Sequence, residues 1–138
     1  MTAAFEVSIK PGSAEISNLT ETAMAFLQGG GVDSRTTHHV ALALEEMLTN
    51  LATHGNAADS PATIRLAIDP HKVNVEIIDC GEYFDPRETP DPDIAKDVAD
   101  REVGGLGLYL VRKIAVDIAY ARRDGRNVTT FALARSTI

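Results

Sequence analysis

Cysteine, long apolar runs and positive charge are all scarce in this chain, and each shortage removes a class of function. Its one cysteine, Cys80, leaves no internal disulfide and no cysteine-based zinc site. The longest apolar stretches, such as Val40–Leu44, run to five residues, far short of the roughly 20 needed to cross a bilayer. No membrane association is expected. Residues 1–10 have neither a basic n-region nor an apolar h-region, so no signal peptide is read and a cytoplasmic location is expected. Lys and Arg number 13 against 20 Asp and Glu, a net charge of −7. Such a chain lacks the basic face that nucleic-acid binding requires. Repeats, low-complexity tracts and long linkers are also missing. With 138 residues, 44% hydrophobic and 24% charged, residues 1–138 read as a single domain of ordinary globular composition. An intracellular protein acting on a small ligand or on another protein is what remains.

Hydrophobic periodicity then divides the chain into elements. Phe5–Ile9 alternates apolar and polar residues as a half-buried strand does. Pro11-Gly12 interrupts it, and Ser13 is expected to cap a helix to about Gln28 with an apolar stripe of Ile16, Leu19, Ala23, Phe26 and Leu27. Asp33 or Ser34 is expected to cap a second helix ending at Gly55, with Val40, Leu44, Met47, Leu48 and Leu51 toward a core. Ala62–Asp69 and Lys72–Asp79 read as a hairpin turning at Asp69-Pro70-His71. Residues 80–103 are polar and acidic, with Pro86, Pro90 and Pro92, and read as a loop carrying one short helix at Ile94–Asp100. A loop of that length inside a compact domain is usually functional. A third helix is expected over about Leu108–Ala115. Strands Ile118–Arg123 and Val128–Ala134 then flank a turn at Asp124–Asn127. Strands gathered late in this order predict an α+β two-layer sandwich, with a mixed, mostly antiparallel sheet and helices on one face.

Three constellations carry chemistry. Glu46, Asn50 and His54 are spaced four apart, so on a helix they form one slanted polar stripe, whereas Glu45 points about 100° away. A carboxylate one turn from a carboxamide suits a magnesium-nucleotide site, with the amide oxygen serving a hard cation and the carboxylate accepting a proton. A solvated amphipathic face is the competing account. Next, the apolar run Ile77-Ile78 ends in Asp79-Cys80-Gly81. A rim carboxylate there can accept a hydrogen bond from an exocyclic amine, and Gly81 permits close approach of a flat ring. A turn-forming Asp at a strand exit is the alternative. Last, Gly104-Gly105-Leu106-Gly107-Leu108 opens a helix, where backbone N–H groups can meet an anion. A hinge would account for the same glycines. The spacing matches neither a Walker A loop nor a Rossmann fingerprint.

Taken in order, helical E-x-x-x-N, D-x-G at a strand end, a long loop and G-G-L-G-L resemble the N, G1 and G2 boxes of the GHKL (Bergerat-fold) ATPases and kinases. Within that superfamily the chain is similar, over essentially its whole length, to the anti-sigma-factor serine/threonine kinases of the RsbW/SpoIIAB type. Phe84-Asp85-Pro86 and the Gly-Gly-Leu-Gly-Leu run are typical of that branch. The resemblance implies ATP and Mg2+ as cofactors. It implies Glu46 as general base, Asn50 as magnesium ligand, Asp79 as the adenine-reading carboxylate with Gly81 beneath the ring, and Thr129 assisting through water. Gly104, Gly105, Leu106, Gly107 and Leu108 would meet the phosphates, and residues 86–103 would form the ATP lid. His54 aligns with a histidine frequent in the branch, without an assigned role.

The pattern also departs from the family. Glu82-Tyr83 replaces a second glycine, which predicts a stiffer first lid hinge, and Thr53 stands where histidine kinases often carry a basic residue. The lid is acidic (Glu88, Asp91, Asp93, Asp97, Asp100) and is expected to face solvent or a partner. His38 and His39 are adjacent and cannot chelate one metal together. Cys80 is expected as a small buried hydrophobe. Among Arg112, Lys113, Arg122, Arg123 and Arg126, most are expected in solvent, with one able to reach a phosphate. Glu15, Asn18, Glu21 and Thr22 form either a docking surface or an ordinary exposed helix face.

What the resemblance implies for function is a kinase that phosphorylates a STAS-domain anti-sigma antagonist and binds a sigma factor or equivalent target, with homodimerisation common in such kinases. An ATP-gated binding module without catalysis is the alternative; it would keep Asp79 and the glycines but not depend on Glu46. A histidine kinase catalytic domain is disfavoured, because one strand and one helix before the Glu46 helix leave no room for a dimerisation hairpin.

Overall fold

The computed structural model describes residues 3–54, 60–88 and 105–136. Strand β1 (Ala3–Ile9) is followed by helices α1 (Ser13–Gly29) and α2 (Ser34–His54), then by strands β2 (Ala62–Ile68) and β3 (Lys72–Asp79). A 3-10 turn (Pro86–Glu88), helix α3 (Gly105–Ile114) and strands β4 (Val116–Arg123) and β5 (Arg126–Ala134) complete it. The five strands run in the order β1-β2-β3-β5-β4, and all four pairings are antiparallel. The expected α+β sandwich is therefore present, and its mixed, mostly antiparallel sheet is wholly antiparallel among the described residues.

Strict alternation produces the two faces of the sheet. Ile64, Leu66, Val73, Val75, Ile77, Phe131 and Leu133 point to the helices and are buried. The intervening residues form an open face on which Arg65 bridges Glu6 and Glu76 across three strands. Helix α2 packs between α1 and α3. Its Val40, Leu44 and Leu48, together with Leu19 and Leu27 of α1, complete one continuous core.

Local chemistry accounts for the boundaries, and in places corrects the expectation. Ser13 does not cap α1. Gly12 is the N-cap, without a side-chain bond, and its carbonyl accepts the first helical bond from the Ile16 N–H at 2.8 Å. Asp33 does cap α2: its carbonyl accepts from the Thr37 N–H, and its Oδ2 accepts from the Thr36 N–H at 2.9 Å. The β2–β3 hairpin is held by Asp69 Oδ1, which accepts from the N–H groups of His71 and Lys72. Between β4 and β5 the connection is tighter than expected, a two-residue turn with Asp124 at φ 52 and Gly125 at φ 75. Both central residues being left-handed is what a type I′ hairpin requires. Strand β4 begins two residues early, at Val116, because a bulge with Asp117 at φ 55 carries the pairing past Ile118. The short helix expected at Ile94–Asp100 and the lid residues from 89 to 103 lie outside the described residues.

Candidate active site

Helix α2 presents the first group. Met47 and Leu48 turn into the core and fix the rotation of the helix, so Asn50 is carried inward to 9% exposure while Glu46 is half-buried and Glu45 faces solvent. The Asn50 side chain makes no hydrogen bond with any described residue. A buried carboxamide left unpaired is costly, and in a native fold it marks a place completed by water, ion or ligand. Burial, and secondarily the neighbouring Glu45 charge, raise the Glu46 carboxyl above its ordinary pKa of 4.5. His54 ends the helix, and its side chain lies outside the described residues.

The glycine-rich run meets this group directly. Helix α3 starts at Gly105 rather than near Leu108, which puts Gly105, Leu106, Gly107 and Leu108 in its first turn. Their four N–H groups are those a helix cannot satisfy internally. A β-carbon at Gly107 would stand 1.9 Å from Glu46 Oε2 and 2.7 Å from Glu46 Cδ. Only a residue without a side chain lets the first turn of α3 lie against the Glu46 carboxylate. Leu108 offers its backbone alone, since its side chain is in the core at 3% exposure. Gly104 lies outside the described residues.

Asp79 ends β3 and is 4% exposed. Its Oδ1 accepts two hydrogen bonds, from the Gly81 N–H at 2.9 Å and from Asn127 Nδ2 at 3.0 Å. Oδ2 has no partner among the described residues. Gly81 is buried beside it. Thr129 of β5 is buried with its hydroxyl unpaired among the described residues. It shares a residual cavity of about 10 Å³ with Met47 of α2, Pro86 and Leu108 of α3. The Thr129 cavity thus lies between β5 and the two helices, and Asn50, Asp79 Oδ2 and the Thr129 hydroxyl are buried polar groups without a partner among the described residues.

Asp85 has a structural task at the exit from this region. Its side chain is 3% exposed and forms a 2.7 Å ion pair with Arg87. The Arg87 guanidinium, by hydrogen bonding to it, holds the Asp85 carboxyl below the ordinary carboxylate range. Arg112 donates to the Pro86 carbonyl at 3.1 Å, so it tethers the start of the expected lid to α3. Cys80 is exposed, against expectation. It stands just beyond β3, which ends at Asp79.

Sequence reasoning gave Tyr120 no role, read Asn127 only as a turn residue and grouped Arg122 with basic residues mostly expected in solvent, whereas Arg122 bonds to Asn127 Oδ1 and the Gly81 carbonyl. Asn127 is 2% exposed and sits among inward-facing residues of β5. A carboxamide at a core-facing position of an alternating strand was the available signal. Among the described residues no three His, Cys, Asp or Glu side chains cluster as a metal site. An amide oxygen such as that of Asn50 suits a hard cation keeping most of its waters. A concavity of about 610 Å³ lies instead on the open face of the sheet around Arg65, Asn74 and Thr130, and no candidate site residue lines it. Volume alone does not make a site, and the unpaired buried polar atoms lie at the other location.

Comparison with known proteins places the chain in a family. Residues 10–133 match the histidine kinase-like ATPase domain, and the chain belongs to that family. Within it, the chain is similar to the serine/threonine-protein kinase BtrW of Bordetella bronchiseptica, 33% identical over 93 residues that cover 66% of each protein. It is also 24% identical over 129 residues to the serine-protein kinase RsbW of Listeria monocytogenes, covering 89% of this chain and 81% of that one. Among solved structures, the RsbU and RsbW domains of Rv1364c from Mycobacterium tuberculosis share the fold, with a TM-score of 0.68 at 15% identity. That match covers 97% of this chain and 33% of the other. No helix among the described residues is long and apolar enough to cross a membrane.

Proposed function

We propose that this chain is an ATP-dependent protein serine/threonine kinase of the partner-switching kind, which phosphorylates a STAS-domain antagonist and binds a sigma factor or an equivalent target. Membership of the ATPase family and similarity to named serine/threonine kinases support the activity. The observation that carries the catalytic reading is the contact of the Glu46 carboxylate with the first turn of α3 at Gly107. Bound magnesium–ATP supplies the transferable phosphoryl group and neutralises its charge. Asp79 Oδ2 accepts a hydrogen bond from the exocyclic amine of adenine, Gly81 lies beneath the ring, and Thr129 takes part through water. The Asn50 amide oxygen would hold the cation. N–H groups of the first turn of α3 receive the phosphate oxygens, where the helix end favours negative charge. Glu46 takes the proton from the acceptor hydroxyl as its oxygen bonds to the γ-phosphorus and the bond to the ADP oxygen breaks. A carboxylate whose pKa is raised by burial is a better base than a solvated one.

The experiment combines the protein, magnesium–ATP and a STAS-domain protein from the same genome, and reads intact mass. One added phosphate on the STAS protein is expected, with Glu46→Ala lowering the transfer rate by about a hundredfold or more. Tight nucleotide binding without transfer would leave an ATP-gated binding module, and no nucleotide binding would end both readings.

A further inference from the structure

Asn127 and Asp79 are direct cross-strand partners on β5 and β3, and both are almost wholly buried. The Asn127 Nδ2 group donates to Asp79 Oδ1 at 3.0 Å and to the Glu82 carbonyl at 2.7 Å. Its Oδ1 accepts from Arg122 Nη1 at 2.9 Å and from the Tyr120 hydroxyl. Guanidinium is an obligate donor, so the amide cannot be turned the other way round without setting N–H against N–H. Every hydrogen-bonding capacity of the side chain is therefore in use. Arg122 Nη1 also donates to the Gly81 carbonyl at 3.0 Å. The β4–β5 hairpin thus grips Asp79 and both residues of the following turn through one amide and one guanidinium.

From this arrangement we infer that Asn127 is a positioning residue that determines which base the site accepts. With Oδ1 occupied by two N–H donors, the carboxylate has one acceptor left, Oδ2, and its direction is set by the pair of bonds on its sister oxygen. An acceptor held at that point favours a purine with an amine at C6 and opposes one with a carbonyl there, whose lone pairs would face the oxygen. Without the amide, Asp79 keeps only the Gly81 N–H and its carboxylate is free to rotate. Tyr120 and Arg122 act through Asn127 by fixing the amide. The inference rests on the reading of Asp79 as the residue that meets the base.

Calorimetric titration of the full chain with magnesium–ATP and magnesium–ITP tests it, because the two differ in amine against carbonyl at C6 and, with it, in acceptor against N–H at the adjoining N1. The wild-type protein is expected to prefer ATP by at least about tenfold. In Asn127→Leu, ATP binding weakens by about tenfold while ITP binding changes little, so the ratio falls toward one. A merely structural role would weaken both ligands alike and keep the ratio, and that result overturns the inference. If Asn127→Leu does not fold, Tyr120→Phe decides. Removing one bond to the amide oxygen is expected to lower the ratio about threefold, and an unchanged ratio overturns the inference as surely. Asp79→Asn separates the two levels. An ATP preference absent from the wild type, or surviving in Asp79→Asn, removes the reading of Asp79 itself. A preference lost in Asp79→Asn but intact in Asn127→Leu removes only the role of Asn127.

Discussion

Among single residues, Gly107 and Glu46 show how one missing side chain can hold a reacting group in place. Alanine at 107 would place a methyl group 1.9 Å from Glu46 Oε2. The carboxylate is the mobile end of its side chain and would swing aside, while alanine itself favours the helix by about 1 kcal/mol over glycine. Gly107→Ala is therefore expected to fold with unfolding free energy within about 1 kcal/mol of wild type, yet lose tenfold or more in phosphotransfer. Urea titration and the intact-mass assay check this together, and full activity would refute it. The raised pKa of Glu46 has its own consequence. Burial penalises the charged form, so any stability tied to the neutral acid is present at low pH and is lost as pH rises through the raised pKa. The base needs the same deprotonation, so the transfer rate is expected to climb with pH in a window above 4.5, the ordinary value. That limb should be missing from the residual rate of Glu46→Gln.

Secondary-structure elements depend on a few polar contacts, and Asp33 is the clearest. Its carboxylate caps α2 through the Thr36 N–H and hydroxyl, and also accepts from the Ser136 N–H at 3.1 Å, tying the helix start to the chain beyond β5. The Thr36 backbone bond is the main cause that holds its carboxyl well below the ordinary 3.8, against an opposing push from burial. A lowered pKa contributes stability that is present above the unfolded value and is lost as pH falls toward the folded one. Asp33→Ala is expected to cost about 1–2 kcal/mol at pH 7. The gap from wild type should narrow as pH drops below 3.8, measured by urea unfolding at several pH values. The cap of α2 was legible to within one residue, as Asp33 or Ser34, because both precede a periodic apolar run, and the Thr36 contacts decide for Asp33. The start of α3 was not, because glycines carry no helical signal, and for Gly107 it is the packing of that turn against Glu46 that accounts for the residue. The bulge at Asp117 was equally hidden, since it arises from pairing with β5 and not from any local preference.

In the whole molecule, one core joins sheet and helices, and the candidate site residues lie on α2, at the start of α3 and on the paired ends of β3 and β5. Leu48 is fully buried two residues before Asn50. Leu48→Ala is expected to destabilise the fold by about 2–5 kcal/mol, read by thermal and urea unfolding. A loss under about 1 kcal/mol would mean that α2 is not packed as described. The chain alone carried the periods of its helices and strands, the α+β class and the three constellations, because these depend on side-chain spacing and turn chemistry within a few residues. It also carried the family resemblance, which motif order preserves. Folding settled the rest: which face of α2 buries Asn50, that Gly107 abuts Glu46, and that Asn127, 48 residues beyond Asp79, donates the second hydrogen bond to its Oδ1. Those contacts join residues that no local pattern connects, and they exist because antiparallel pairing of β3 with β5 brings two distant strand ends to the same edge of the core.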